Sequence, residues 1–367
     1  MKARKFLVIK LGAIGDVVHA IPAVALLRQI YPDSTIDWLI EKKSASVLRG
    51  NPYISSSIVI DTKRWRRELF RHPIRVIMEV RGVLDRLKRA RYDVAIDLQG
   101  LIKSSLLAWA SKSRLRFGYP SRECREGLSA RLTNRKCWHA IEKDHVVEKH
   151  GSMVAAIAEE LGDMKPGSAL PLLSDLMPLL PIEKAARDAF REYLSEKGFR
   201  RGEKLIGVNP CAAWTTKRWP PANFARMIDA VRDAGVGAKA RFVLLYGPNE
   251  RDAALEVLSH LSDHETDRVF LAPPSDIPLL CAILAACDLV VSGDTSVLHI
   301  AAALKTPTVA LFGPSDPKRN GPYGNRSIVL QHIMACGPCY KRQCNDMACI
   351  KNISPRKAAE AVLQILG

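Results

Sequence analysis

Along the chain, short runs of β-branched and other apolar residues alternate with longer segments whose apolar positions recur at helical spacing. The runs at 6–10, 36–40, 57–60 and 93–97 predict strands, and the segments 21–31 and 74–91 between them predict helices. Such alternation builds a parallel sheet, because parallel neighbours need a crossover long enough to hold a helix. After Lys165-Pro166-Gly167 the pattern lapses: residues 170–181 carry Pro and Leu without a steady period, and helical spacing resumes over 182–197. Strand runs then return at 205–209, 242–246, 269–272, 289–292 and 308–312. The chain closes on Ser354 as an N-cap, Pro355 at the first helical position and a helix-forming run from Ala358 to Leu366. The reading is α/β with two Rossmann-like domains, 1–175 and 176–353, and a C-terminal helix at 354–367. A length of 367 residues suits two domains of ordinary size.

Composition adds little to this picture, and charge adds more. With 47% hydrophobic and 25% charged residues, the chain is neither collagen-like nor extensively disordered. The 55 Lys and Arg exceed the 38 Asp and Glu by 17, which points to an acidic partner: nucleic acid, an anionic membrane face or a phosphorylated substrate. The surplus concentrates between Lys63 and Arg91, beginning with Lys63-Arg64-Trp65-Arg66-Arg67. A nucleic-acid surface would interleave aromatics with these cations, whereas aromatics make up only 6% of the chain and this basic stretch holds one Trp. Only four apolar residues, Phe6 to Ile9, precede Lys10, fewer than the roughly 7 to 15 of a signal-peptide core, so a cytoplasmic location is expected. The long weakly charged stretch at 277–293 is broken by Asp288 and falls short of a membrane span. Nine Cys without an export signal suggest reduced thiols.

Candidate chemistry lies in strand-to-helix turns, which sit at the carboxyl edge of a parallel sheet where ligands bind. The first is Lys10-Leu11-Gly12-Ala13-Ile14-Gly15-Asp16, leading to His19. Its spacing is not G-x-G-x-x-G, and no acidic residue closes the next strand as read, so a dinucleotide fits poorly. Asp16 is either a helix-capping or first-turn carboxylate or a general base at the mouth of the sheet. The second is the loop from Asn209 to Pro220, in which Thr215, Thr216, Lys217 and Arg218 offer two hydroxyls and two cations ahead of a helix, a set suited to a diphosphate. The third, Ser292-Gly293-Asp294-Thr295-Ser296-Val297-Leu298-His299, places Thr295 and His299 four apart on one helical face. Another turn, Tyr246-Gly247-Pro248-Asn249-Glu250, adds a carboxylate for ribose hydroxyls. Finally Cys336, Cys339, Cys344 and Cys349 fall within fourteen residues. Only the first pair has the usual two-residue gap of a zinc site, so reduced loop thiols are the default reading and a metal or iron–sulfur site the alternative.

Together these residues resemble the lipopolysaccharide heptosyltransferases, a bacterial family of inverting glycosyltransferases with two facing Rossmann-like domains, the GT-B-type architecture. The most specific parts are the opening Lys-x-x-x-x-Gly-Asp-x-x-His, the stretch from Tyr92 to Ser104, Lys217-Arg218-Trp219-Pro220, and Gly293-Asp294-Thr295 with His299. Trp65 in its basic stretch and Asn134-Arg135-Lys136 look most like heptosyltransferase I, which adds the first heptose to the Kdo of the inner core. The resemblance implies that Asp16 deprotonates the acceptor hydroxyl. It gives Thr215, Thr216 and Lys217 to the diphosphate of ADP-heptose, and Asp294, Thr295 and His299 to the donor sugar and phosphates, with Glu250 as the ribose carboxylate.

Arg64, Arg66, Arg67 and Lys103 are then expected to meet the phosphorylated, carboxylate-bearing lipid A-Kdo acceptor and the anionic inner leaflet of the cytoplasmic membrane. A charged ADP leaving group can be held by Lys217, hydroxyls and a helix N-terminus, so no obligatory metal or other cofactor is expected. The implied protein is a monomer, peripheral on the cytoplasmic face, without a nucleic-acid partner. Its terminal helix is expected to cross back to the N-terminal domain and form a hinge with 170–181. Heptosyltransferase II, or a transferase using UDP or GDP, is the alternative, and a basic nucleic-acid-binding protein a remote one.

Overall fold

The computed structural model describes residues 3–168, 171–176, 180–234, 239–262 and 268–367. The chain divides into two compact units between residues 179 and 180. Of the expected hinge, residues 170 and 177–179 lie outside the described residues.

The first unit holds six strands: β1 (Lys5–Ile9), β2 (Thr35–Glu41), β3 (Ser56–Ile60), β4 (Val94–Asp97), β5 (Leu115–Gly118) and β6 (Arg135–Lys136). All neighbours are parallel, in the order β3-β2-β1-β4-β5-β6. The second unit repeats the plan with β7 (Lys204–Asn209), β8 (Ala240–Leu244), β9 (Val269–Leu271), β10 (Leu289–Gly293), β11 (Thr308–Phe312) and β12 (Ser327–Gln331). Its parallel order is β12-β11-β10-β7-β8-β9. Central strands such as Phe6-Leu7-Val8-Ile9 are buried on both faces, which is why they read as continuous apolar runs and not as alternation.

Each order reverses once, between β1 and β4 and between β7 and β10. In such sheets the turns after the two central strands open a crevice at the carboxyl edge. The turns carrying Asp16 and the Asp97–Gly100 segment flank the first reversal, and those carrying Lys217 and Asp294 flank the second.

Three strands escaped the sequence reading: β5, β6 and β12. β5 is Leu-Arg-Phe-Gly, β6 has two residues, and β12 lies at a sheet edge with Val329 and Gln331 exposed. Arg116 breaks the apolar run of β5, β6 is too short to show one, and β12 offers only Ile328-Val329-Leu330 between Ser327 and Gln331. The C-terminal helix Pro355–Leu366 is capped by the Ser354 hydroxyl, which accepts from Lys357 N at 3.4 Å. It belongs to the second unit. Ala358, Ala361, Val362 and Ile365 are buried in that unit's core together with Phe224 and Ile228 of the helix Pro221–Asp233. Among the described residues no helix is long and apolar enough to cross a membrane.

Candidate functional site

In the first unit, Asp16 is an exposed side chain in the first turn of the short helix Ile14–Val18, whose N-cap is Ala13. It is therefore not the N-cap residue. The turn before it is fixed by Gln99, whose Oε1 accepts from Leu11 N at 3.0 Å and Gly12 N at 2.9 Å, while Ser44 donates to Gly12 O at 2.8 Å. A Cβ on Gly12 would lie 2.8 Å from Asp16 Oδ2 and 3.0 Å from the Gln99 amide, so the close approach of these two side chains requires glycine. Gln99 is itself set by Asp97, a fully buried carboxylate that accepts from Gln99 N, Gly100 N and the Ser104 and Ser105 hydroxyls. Gly100 takes φ 67° to close that turn. Burial pushes the Asp97 carboxyl above its ordinary value even against these four donors.

Behind the turn, Lys10 Nζ donates to Leu98 O at 2.7 Å and meets His150 Nε2 at 3.4 Å, and His150 Nδ1 lies 2.5 Å from the Tyr119 hydroxyl. Burial, then the Lys10 charge, hold His150 well below its ordinary value, so the ring is neutral and its Nε2 accepts from Lys10.

Contrary to the sequence reading, an acidic residue does close β2. Glu41 is buried and accepts from Thr62 N and the Thr62 hydroxyl, and Lys103 Nζ lies 3.2 Å from its Oε1. These partners occupy its carboxylate, and they also place the expected acceptor residue Lys103 at the carboxyl end of β2. Of the three arginines expected with it, Arg64 is engaged by Glu79 and Glu68, and Glu79 also accepts from Trp65 Nε1 at 2.9 Å. Arg66 and Arg67 are exposed.

In the second unit, Lys217, Asp294 and His299 converge. Asp294 Oδ2 receives Lys217 Nζ at 2.5 Å and the Ser315 hydroxyl at 2.6 Å, and Oδ1 meets His299 Nε2 at 3.2 Å. Burial disfavours the Asp294 charge, but His299 and Lys217 outweigh it and hold the carboxyl well below the usual range. Thr295 caps the helix Ser296–Ala303, and its hydroxyl joins Asn209 Nδ2 at 3.1 Å and Ser292 Oγ at 3.1 Å. Gly293 lets the Lys217 backbone approach, since a Cβ there would lie 3.0 Å from Lys217 O.

The threonine hydroxyls do something other than what the sequence suggested. Thr215 donates to Arg342 O at 3.2 Å and Thr216 to Lys341 O at 2.8 Å, tying this loop to the cysteine-bearing segment. Arg342, unread from the sequence, thereby reaches Trp214: its guanidinium lies 4.9 Å and Lys217 Nζ 4.5 Å from the indole centroid. The other tryptophan, Trp219, is buried, donates to Ile353 O at 3.1 Å and packs edge-on to Phe224. One tryptophan anchors the loop and the other holds two cations together. Glu250 closes its own turn, Oε2 accepting from Gly247 N at 3.1 Å, and stands at the N-cap position of the helix Arg251–Ser259 without a capping side-chain bond.

The four clustered cysteines are free thiols, half-buried or exposed. Cys344 Sγ accepts from Met347 N at 3.5 Å, and Cys349 is pushed up by burial and by the other three sulfurs. Among the described residues no three His, Cys, Asp or Glu side chains are grouped so as to hold a metal ion.

With the geometry in place, the comparisons with known proteins decide the class. The model of glycosyltransferase family 9 (heptosyltransferase) matches residues 80–349. The chain belongs to glycosyltransferase family 9. It is 26% identical over 328 residues to lipopolysaccharide heptosyltransferase 1 of Escherichia coli K12, covering 89% of this chain and 93% of that one. Lipopolysaccharide heptosyltransferase 2 of the same organism is also 26% identical, over 334 residues, covering 90% and 88%. The solved E. coli heptosyltransferase WaaC with ADP-2-deoxy-2-fluoro heptose superposes with a TM-score of 0.71 at 24% identity, covering 99% of this chain and 98% of that one. The family 9 fold expected from the sequence is thus present through both units. The enzyme is a glycosyltransferase of the heptosyltransferase class.

Proposed function

We propose that this family 9 enzyme transfers L-glycero-D-manno-heptose from ADP-heptose to the Kdo of the lipopolysaccharide inner core, with inversion at the anomeric carbon. The observation that carries the donor half is the cluster of Lys217, Asp294, His299 and Ser315 at the reversal point of the second sheet, with Arg342 beside Lys217 on Trp214. Two cations on one loop suit a diphosphate, and the E. coli relative seen with a fluorinated ADP-heptose supports ADP as its nucleotide. Because the Thr215 and Thr216 hydroxyls are committed to backbone carbonyls, Lys217 and Arg342 take the part of holding the phosphates.

Asp16 takes the proton from the acceptor hydroxyl as that oxygen bonds to the anomeric carbon. The bond from that carbon to the diphosphate breaks, and ADP leaves with the electron pair. Growing charge on the leaving oxygen is met by the Lys217 ammonium, and fixed charges aimed at developing charge are the largest single source of catalysis in such sites. Asp16 and Lys217 lie in different units, so transfer needs both. Lys103, Arg66 and Arg67 serve the anionic acceptor, and Glu250 or a neighbouring group serves the ribose. We place the enzyme at the cytoplasmic face of the inner membrane, where such an acceptor is found, acting as a monomer and without an obligatory metal.

The test is thermal stabilisation by ADP against UDP and GDP, followed by transfer from ADP-heptose to Kdo-lipid A and to the same acceptor already carrying one heptose. ADP at 100 times its dissociation constant should add about 2.7 kcal/mol. Transfer only to the heptosylated acceptor would make the enzyme type II, whose E. coli representative is also 26% identical. Stabilisation by UDP or GDP alone would overturn the donor.

A further inference from the structure

We infer that the exposed apolar face running from Phe70 through the first two turns of the helix Pro73–Arg89 docks on an anionic lipid bilayer. The inference rests on the reading of the acceptor as a lipid, and it names a surface distinct from the Arg64 stretch. One stripe of this helix is committed to folding: Val76 and Leu87 are buried, and Val83 packs against the first unit's core. Ile74, Ile77 and Met78 recur at i, i+3 and i+4 away from that stripe and are 75%, 46% and 66% exposed, and Phe70 in the preceding turn is 92% exposed. Single exposed apolar residues are ordinary, but four large ones within nine residues mark an interaction surface.

Charge selects the occupant. From Arg71 to Arg89 there are six Arg and Lys against Glu79 and Asp85. Glu79 is occupied by Arg64, Trp65 and Arg75, and Glu68 faces Arg64 and Arg67. Arg71, Arg81, Lys88 and Arg89 are exposed and enter no ion pair among the described residues, so their field is unopposed apart from Asp85. Along the outer side of the helix the apolar residues occupy the first half, and Arg81, Lys88 and Arg89 the second. The neighbouring helix Ile102–Ala110 also exposes Leu106 and Trp109, with Lys112 Nζ 4.4 Å above the Trp109 ring. Apolar side chains entering the acyl boundary with cations among anionic headgroups is the arrangement of an interfacial helix.

The experiment is co-sedimentation of the full chain with vesicles of phosphatidylcholine alone or with phosphatidylglycerol added. Binding to the mixed vesicles only, weakening with salt, is expected. The F70S/I74S/M78S variant should lower the partition coefficient by at least about tenfold, and R71Q/R81Q by about fivefold per cation. Both variants should keep the parental thermal shift with ADP and the parental rate on detergent-dispersed acceptor, which separates loss of docking from misfolding. Undiminished binding by F70S/I74S/M78S, equal binding to phosphatidylcholine alone, or a parental dimer in light scattering that this variant abolishes would overturn the proposal. Should the enzyme transfer no heptose yet bind anionic vesicles through this face, the functional reading fails and the surface stands.

Discussion

Asp16 and Asp294 each lie in a turn at the reversal of strand order, Asp16 after the first strand of its sheet and Asp294 after the fourth strand of its own, and their surroundings are opposite. Asp16 is exposed, and a Cβ on Gly12 would meet both its carboxylate and the neutral amide of Gln99. Asp294 is buried and held by an ammonium, an imidazole and a hydroxyl. A carboxylate whose charge is so strongly favoured does not take up a proton near neutrality, so it organises cations. Two turns at sheet reversals thus hold carboxylates in opposite surroundings.

The sharpest way to break this comparison is Asp16→Asn. Removing a placed general base costs about 10² to 10⁴-fold, so transfer should fall by that factor, with ADP binding unchanged and stability altered by less than about 0.5 kcal/mol. A variant with the parental rate would reduce Asp16 to a first-turn charge on a short helix.

Asp294→Asn should do the reverse. It leaves Lys217 and His299 facing a neutral amide in a site with little water, and breaking one partner of a buried pair costs about 3 to 5 kcal/mol. Denaturation of the second unit should shift by that amount, and ADP affinity should fall because Lys217 loses its fixed position. Unchanged stability together with unchanged ADP binding would show that the cluster does not organise the donor site.

The same contrast explains what the sequence disclosed. The central strands were legible because residues buried on both faces must be apolar, and turn positions followed from the glycines and the switch to helical spacing. Asp16, Lys217, Asp294 and His299 were legible because each lies just beyond such a strand. The threonine hydroxyls were not, because their partners, the carbonyls of Lys341 and Arg342, lie more than a hundred residues away and leave no local pattern. Arg342 and Ser315 were hidden for the same reason, although Gly313-Pro314-Ser315 after β11 is a turn signal of the kind that marked the others. Gln99 stood within a noted motif, but only the bonds to Leu11 and Gly12 give it a task. The C-terminal helix was found with its cap, whereas its packing partner depended on which core its Ala and Val stripe met.

The smallest expected difference between the units is their response to mild acid. His150 in the first unit is held neutral by burial and by Lys10, with His145 and Lys149 adding to the positive surroundings and Tyr119 on its other nitrogen. Its folded value lies below the unfolded value of about 6.5, so its contribution to stability is complete above that pH and is lost as pH falls toward the folded value. The loss should approach about 1.4 kcal/mol for each pH unit below roughly 6.5. Asp294 is also depressed, but its unfolded value is near 4, so its contribution stays intact down to that pH. Hydrogen-exchange protection between pH 7.5 and 5.5 should therefore fall for the helix Val146–Glu160 and hold for the helix Ser296–Ala303, after correction for the intrinsic rate. His150→Gln should remove the pH dependence of the first unit. Equal loss of protection in both units, or a dependence that survives this substitution, would place the acid sensitivity elsewhere.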